Sequence, residues 1–301
     1  MARPLSLLLC LSLVLAFAGA ACGGSGSTEG GQPRIVATTQ QIGALTRAIA
    51  GDRMTVTTLI GPGVDPHDYE ASPDDIKRLG SSRLVLRHGI GLDSHLDKAI
   101  EGSGAKKVVT VTTGIALEKG ASGSGSDDPH VWHDPGDAKI MSENIAAALI
   151  EADPANADFY RQNATSQEQR LDDADRQIKE MIATLPAENR KVVTDHDAFG
   201  YFIRHFGLQF VGAVIPGVSS QGEASAQQIA QLEDLIRREK VKAIFAENSL
   251  DPKVSRQIAG DTGVKIVTDL YGDSLGKPGS GADTVEGMLV ANATKIVEAL
   301  K

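Results

Sequence analysis

The sequence predicts an α/β fold of two lobes, each a mostly parallel sheet flanked by helices, with one long helix between them. Three observations carry this. Short apolar runs alternate with helical stretches from Arg34 to the C-terminus, the pattern of βαβ units. Roughly 270 residues lie beyond a leader segment, more than one core comfortably encloses. Between Pro154 and Leu185 there is no Gly and no second Pro, so nothing breaks a helix there.

The first lobe reads from residue 34 to 153. Residues 34–38 form a strand and 40–50 a helix. Residues 54–60 alternate like a strand, and a Pro/Gly loop over 61–66 delivers His67. Ser72, followed by Pro73, Asp74 and Asp75, opens a helix with an N-cap and a proline at the first helical position. Residues 83–87 and 107–111 are further strands. Asp134 and Pro135 start a helix that runs to about Glu151.

Residues 154–185 read as the linking helix. Phe159, Leu171, Ile178, Met181 and Ile182 lie among many charges, as in a solvated helix with one apolar stripe. At 1.5 Å per residue it spans about 45 Å. The second lobe, 186–301, resumes the alternation. It has strands at 191–194, 208–215, 241–246 and 264–268. Helices run through Phe206 and over 223–239, 252–261 and 284–300. The Gly-rich stretch 273–283 reads as a surface loop.

Residues 1–21 read as a secretory signal: Arg3, an apolar run from Leu5 to Ala18, then Gly19, Ala20 and Ala21. The run is too short for a comfortable membrane span. Cys22 directly follows the small residues and is the candidate lipid-attached residue of a processed lipoprotein. Residues 22–33 are rich in Gly and Ser, as a flexible tether should be. The chain is therefore expected outside the cytoplasm, lipid-anchored at a cell surface or in a periplasm. The second cysteine, Cys10, lies in the leader, so no internal disulfide staples the processed chain. The formal net charge is −9 with no basic run, which argues against nucleic acid or an anionic surface as a partner.

Three of the seven histidines occupy turns that follow apolar runs. They are His67 in GPGVDPHDYE, His130 in DDPHVWHDP and His196 in VVTDHDAFGYF. Asp269, in IVTDLY, ends a fourth run. Imidazole and carboxylate together suit Zn²⁺ and its neighbours, and four such ligands fill a tetrahedral site. Their wide separation in the chain means that the whole fold would assemble the site. His133 competes with His130, and Asp273 competes with Asp269.

Taken in order, six segments resemble the solute-binding components of zinc/manganese ABC transporters, periplasmic or lipoprotein. They are DPHDYE (65–70), DPHVW (128–132), HDAFGYF (196–202), ASAQQIAQL (224–232), IFAEN (244–248) and TGVKIVTD (262–269). The resemblance covers residues 34–300. It implies two pseudo-symmetric lobes on one rigid helix, with the metal held between them. It places the ligands on His67, His130, His196 and Asp269, and Glu247 behind a ligand histidine. It also implies a monomer whose metal-loaded form docks on a membrane permease served by an ATPase. A cell-surface adhesin role is compatible with the same fold.

The chain departs from those relatives in two places. His88-Gly89 and Asp93 stand where an Asn-Gly pair and a Glu are usual. His88, Asp93 and His95 are expected either as solvated loop residues or as a weak accessory metal site. His133 is expected as a helix-start neighbour, second to His130 or exposed, and His205 as a packing residue. The stretch 117–126 is mostly Gly and Ser, without the His-rich insertion of many zinc-specific relatives. Metal identity then rests on the ligands. Three imidazoles and one carboxylate favour Zn²⁺, with Mn²⁺ the alternative. The competing class is a secreted zinc-dependent hydrolase, with Asp197 or Glu247 as base. Four protein ligands leave little room for the water that catalytic zinc needs. No HExxH, nucleophile elbow or phosphate-binding Gly loop is present.

Overall fold

Eight strands build two separate four-stranded sheets among residues 34–123 and 125–301, which the computed structural model describes. The leader, Cys22 and the tether lie outside the described residues. The first sheet comprises β1 (Arg34–Ala37), β2 (Thr55–Thr58), β3 (Leu84–Arg87) and β4 (Val108–Thr110), in the order β2-β1-β3-β4. The second comprises β5 (Lys191–Thr194), β6 (Gln209–Ala213), β7 (Ala243–Glu247) and β8 (Lys265–Leu270), in the order β6-β5-β7-β8. All pairings are parallel. The inner strands β3 and β7 read LVLR and AIFAE and are almost wholly buried, as strands covered on both faces must be.

The two sheets repeat one topology in register. Ala37 pairs with Thr58 and Leu86, and Thr194 pairs with Ala213 and Phe245. Leu86 of β3 therefore holds the place of Phe245 in β7. In each sheet the winding reverses beside the first strand. The crevice at the C-terminal strand ends there is where open α/β sheets collect ligands.

Local chemistry sets the helices. Thr39 caps α1 (Gln40–Ala50). Ser72 and Asp75 form a capping box on α2 (Pro73–Gly80), and Asp134 caps α4 (Pro135–Ala152). The short α3 (Asp97–Ser103) carries a single buried apolar residue, Ile100, too little for a periodic signal. After a 3₁₀ turn at Pro154–Asn156, the linking helix α5 runs unbroken over Ala157–Ala183. Its buried face is Tyr160, Ala164, Gln167, Leu171, Ala174, Ile178 and Ile182, spaced by threes and fours. The second lobe adds α6 (Gly200–His205), α7 (Ala226–Glu239), α8 (Lys253–Thr262) and α9 (Val285–Leu300). Helix α5 packs on α1 and α4 from the first lobe and on α9 from the second. One continuous apolar core runs along it through Leu45, Trp132, Leu171, Phe199, Leu270 and Met288. No described helix is long and apolar enough to cross a membrane.

The stretch 273–283 corrects the surface-loop expectation. Residues 272–276 are buried, and only 277–281 lie on the surface. Two glutamines of α1 draw the loop in. Gln41 Nε2 donates to the Asp273 carbonyl at 3.0 Å, and the Leu275 N–H donates to Gln40 Oε1 at 3.2 Å.

Candidate metal centre

Four loops at the C-terminal strand ends converge between the sheets. They follow β2, β4, β5 and β8 and bring together His67, His130, His196 and Asp273, each offering a ligand atom within 4.8 Å of the others. The Nε2 atoms of His67 and His130 lie 3.3 Å apart. Asp273 Oδ1 is 3.2 Å from His130 Nε2, and its Oδ2 is 3.4 and 3.5 Å from the Nε2 atoms of His67 and His196. His130, His196 and Asp273 are fully buried side chains, and that of His67 is 8% exposed. His196 Nε2 and both Asp273 oxygens have no hydrogen-bond partner. Buried polar atoms left in that state cost free energy unless something else binds them. Imidazoles and a carboxylate aimed at one point are what a divalent transition metal takes.

The structure brings His67, His130 and His196 together. It places Asp269 apart from them. Strand β8 continues through Leu270, and a bulge where it pairs with β7 leaves Asp269 exposed beside the buried Leu270. The Asp269 side chain is 66% exposed and pairs with Lys295 at 2.8 Å. Asp273 takes the acidic place because its loop folds inward. The signal for it was Gly272, which admits a close approach.

Groups behind the four set their aim. The His130 Nδ1–H donates to Asp128 Oδ1 at 2.7 Å, and the same oxygen accepts the His130 backbone N–H. His196 Nδ1 lies 2.5 Å from Glu247 Oε1, while Glu247 Oε2 accepts the Asp273 N–H at 3.0 Å. Glu247 thus touches two members of the cluster at once. Asp195, His196 and Glu247 also gather, but Asp195 accepts the backbone N–H groups of His196 and Glu247 and so braces the loop. Asp65 fixes the first loop by accepting the His67 N–H at 2.8 Å and the Ser220 hydroxyl at 2.5 Å. Trp132 Nε1 donates to the Gly272 carbonyl at 3.1 Å, tying the His130 turn to the Asp273 loop.

Opposite charges face one another across the cluster. Burial opposes charge on His130, but the Asp273 and Asp128 carboxylates outweigh it and raise its pKa well above the imidazole value. Burial likewise opposes charge on Asp273, yet the His130 and His67 imidazoles hold it well below the usual carboxylate range. Burial and the charge of Asp273 push the Glu247 carboxyl well up.

Of the remaining histidines, His95 is exposed and His205 part-buried in a helix, as expected, while His133 and His88 lie deeper than expected. His133 is wholly buried, its ring 4.8 Å from that of Phe199, and burial lowers its pKa to about 3. Beyond a weak approach to the Gly272 carbonyl, its ring nitrogens have no partner. His88 and Asp93 are buried, not solvated. Asp93 accepts from Thr38, Arg87 and the backbone of His88 and Gly89. Only His95 is exposed. Among the described residues these three form no metal cluster. His205 is more than packing, because Nδ1 lies 2.9 Å from Asp134 Oδ2 and Nε2 lies 2.6 Å from Asp175 Oδ1. A cleft of about 440 Å³, whose lining includes Leu92, His95, Pro129, Val218 and Ser219, reaches His67, the one member of the cluster that is not fully buried.

Known proteins share this arrangement of elements. Residues 35–299 match the family model described as zinc-uptake complex component A, periplasmic. The manganese ABC transporter substrate-binding lipoprotein PsaA of Streptococcus anginosus is 31% identical over 308 residues, which cover 99% of both chains. The metal ABC transporter substrate-binding lipoprotein FimA of Streptococcus parasanguinis is 30% identical with the same coverage. The periplasmic zinc-binding protein TroA from Treponema pallidum superposes with a TM-score of 0.84 at 32% identity, covering 90% of this chain and 99% of TroA. A Mn-bound periplasmic metal-binding protein from Candidatus Liberibacter asiaticus superposes at 0.81 with 29% identity, covering 89% and 100%.

Proposed function

The chain belongs to the zinc-uptake complex component A family, whose members are substrate-binding components of metal ABC transporters, and we propose that its cargo is Zn²⁺. The carrying observation is the convergence of three imidazole Nε2 atoms and the Asp273 carboxylate between two lobes. His67 and His130 hold the ion from the first lobe, and His196 and Asp273 from the second. Asp128 and Glu247 keep the imidazoles aimed, as groups behind metal ligands do. The ion enters by the cleft beside His67 and is passed to a membrane permease driven by its ATPase. The protein acts as a monomer, bound to the membrane by a lipid on Cys22. The lipoproteins among its relatives support the lipid anchor.

A binder and not a hydrolase is the reading that fits a saturated cluster. Four protein ligands leave no open position for an attacking water. Mn²⁺ is the second reading, and one observation favours it. Both oxygens of Asp273 face the cluster, which offers a fifth donor and a harder shell. The test is metal analysis of the purified protein, then thermal melts after chelator treatment. Metal that binds only the folded state raises Tm with the logarithm of metal over Kd. At equal free metal, Zn²⁺ is expected to raise Tm more than Mn²⁺. A larger Mn²⁺ shift overturns the zinc assignment, and no shift with either overturns the metal reading.

A further inference from the structure

We propose that His88 is a positioning residue for His130, the first lobe's counterpart of Glu247. The proposal rests on the metal reading above. Sheet register makes the correspondence. Leu86 and Phe245 hold equivalent places, so His88 and Glu247, each two residues further on, do as well. Each then reaches the loop that follows the next strand. Glu247 accepts the N–H of Asp273. His88 donates its Nε2–H to the Pro129 carbonyl, the residue before His130, at 2.7 Å.

That carbonyl governs where His130 points. His130, at φ −83° and ψ 44°, is the central residue of an inverse γ-turn closed by the Val131 N–H on the Pro129 carbonyl at 2.9 Å. A three-residue turn with one bent hydrogen bond holds its carbonyl weakly. The second donor, from His88, fixes it, and with it the Cα–Cβ direction of His130. His88 is itself immobile. Its N–H donates to Asp93 Oδ2 at 2.7 Å, and its carbonyl accepts the Thr112 hydroxyl at 2.6 Å. Its buried ring stands edge-on to Trp132, at 5.2 Å, and Trp132 stands edge-on to His130 at 5.4 Å. The His88 Nε2–H is taken by Pro129 and no metal cluster among the described residues includes His88, so the ring holds a ligand in place without being one.

The test separates the hydrogen bond from the ring. His88→Phe keeps an aromatic ring against Trp132 without a donor. His88→Gln places an amide NH₂ near the former Nε2. Zn²⁺ affinity is read by competition with a chelating dye, and ligand geometry by the visible absorption of bound Co²⁺. His88→Phe is expected to lose about tenfold or more in affinity, the usual cost of an outer group, and to change the Co²⁺ spectrum. His88→Gln is expected to stay within about threefold with the wild-type spectrum. Wild-type binding and spectrum in His88→Phe, or a loss in His88→Gln as large as in His88→Phe, overturns the proposal. If His88→Phe does not fold, His88→Leu serves instead. It offers the Pro129 carbonyl no donor, and it is expected to show the same loss, while wild-type affinity in it overturns the proposal. A wild-type protein that binds neither metal overturns the metal reading along with this one.

Discussion

A Cβ on Gly272 would stand 1.8 Å from Oε2 of Glu247. No other residue fits there while Glu247 keeps its place between His196 and Asp273. Gly272→Ala is therefore expected to push the Glu247 carboxylate off both partners. Zn²⁺ affinity is expected to fall about 10- to 100-fold, as when a group behind a ligand is lost. Isothermal titration reads this, and wild-type affinity in the variant would show that Glu247 is not needed to aim the site.

Asp273 and Asp269 should part sharply on substitution. Asp273→Ala removes the carboxylate of the cluster and is expected to abolish tight Zn²⁺ binding. Asp269→Ala removes an exposed ion pair with Lys295, worth about 1 kcal/mol or less, and is expected to leave affinity unchanged. Parallel titrations of the two variants check this. The reverse order of effects would restore Asp269 to the site.

His133 is buried, and beyond a weak approach to the Gly272 carbonyl its ring nitrogens have no partner, at a cost of up to about 1–3 kcal/mol relative to a satisfied group. His133→Phe keeps the packing on Phe199 and removes the unsatisfied nitrogens, so the metal-free melt is expected to rise. The folded imidazole titrates near pH 3 against about 6.5 unfolded, so the unfolded state gains a proton first as pH falls. The wild type therefore loses stability below about pH 6.5, and the Tm gap to the variant is expected to widen from pH 7 to pH 5. A variant that melts lower at both values contradicts this account. Zn²⁺ affinity is expected to stay within about threefold, since His133 is no ligand.

His205 joins three elements from both lobes through Asp134 and Asp175. Its hydrogen bond to Asp134, opposed by partial burial and helped by that to Asp175, raises its pKa. A raised histidine contributes stability that is fully present below its unfolded value, about 6.5, and is lost as pH rises through the folded value. The Tm difference between wild type and His205→Gln is therefore expected to be larger at pH 6 than at pH 9. Equal differences would mean that charge on His205 does not hold these elements together.

The parts of the site written locally were legible. His67 and His196 each follow a strand by a short loop, and His130 sits in the turn just before α4, and such turns mark loops at a sheet's C-terminal edge. The alternation of strands with helices and the unbroken helix from residue 157 to 183 were legible for the same reason, since alternation and the lack of breakers are local. Asp273 was not, because choosing it over Asp269 depends on where β8 ends and which way the next loop turns. Gln40 and Gln41 decide that turn from more than two hundred residues away. The burial of His133 and His88 was hidden likewise. Phe199 covers one and the Pro129 carbonyl holds the other, and both partners come from another part of the chain.

Each sheet is drawn wholly from one side of α5, since β1 to β4 precede it and β5 to β8 follow it. Each half can thus acquire its own strands in turn, as contiguous domains do when a chain folds from its N-terminus. The cluster cannot. His67 and His130 belong to the earlier half, His196 and Asp273 to the later one, and the Asp273 loop is seated by glutamines of α1. In a zinc finger the ion organises a nearby stretch of unfolded chain and drives its folding. Here the ligands meet only once both halves have docked along α5, so ion capture marks a finished molecule and cannot serve as its nucleus.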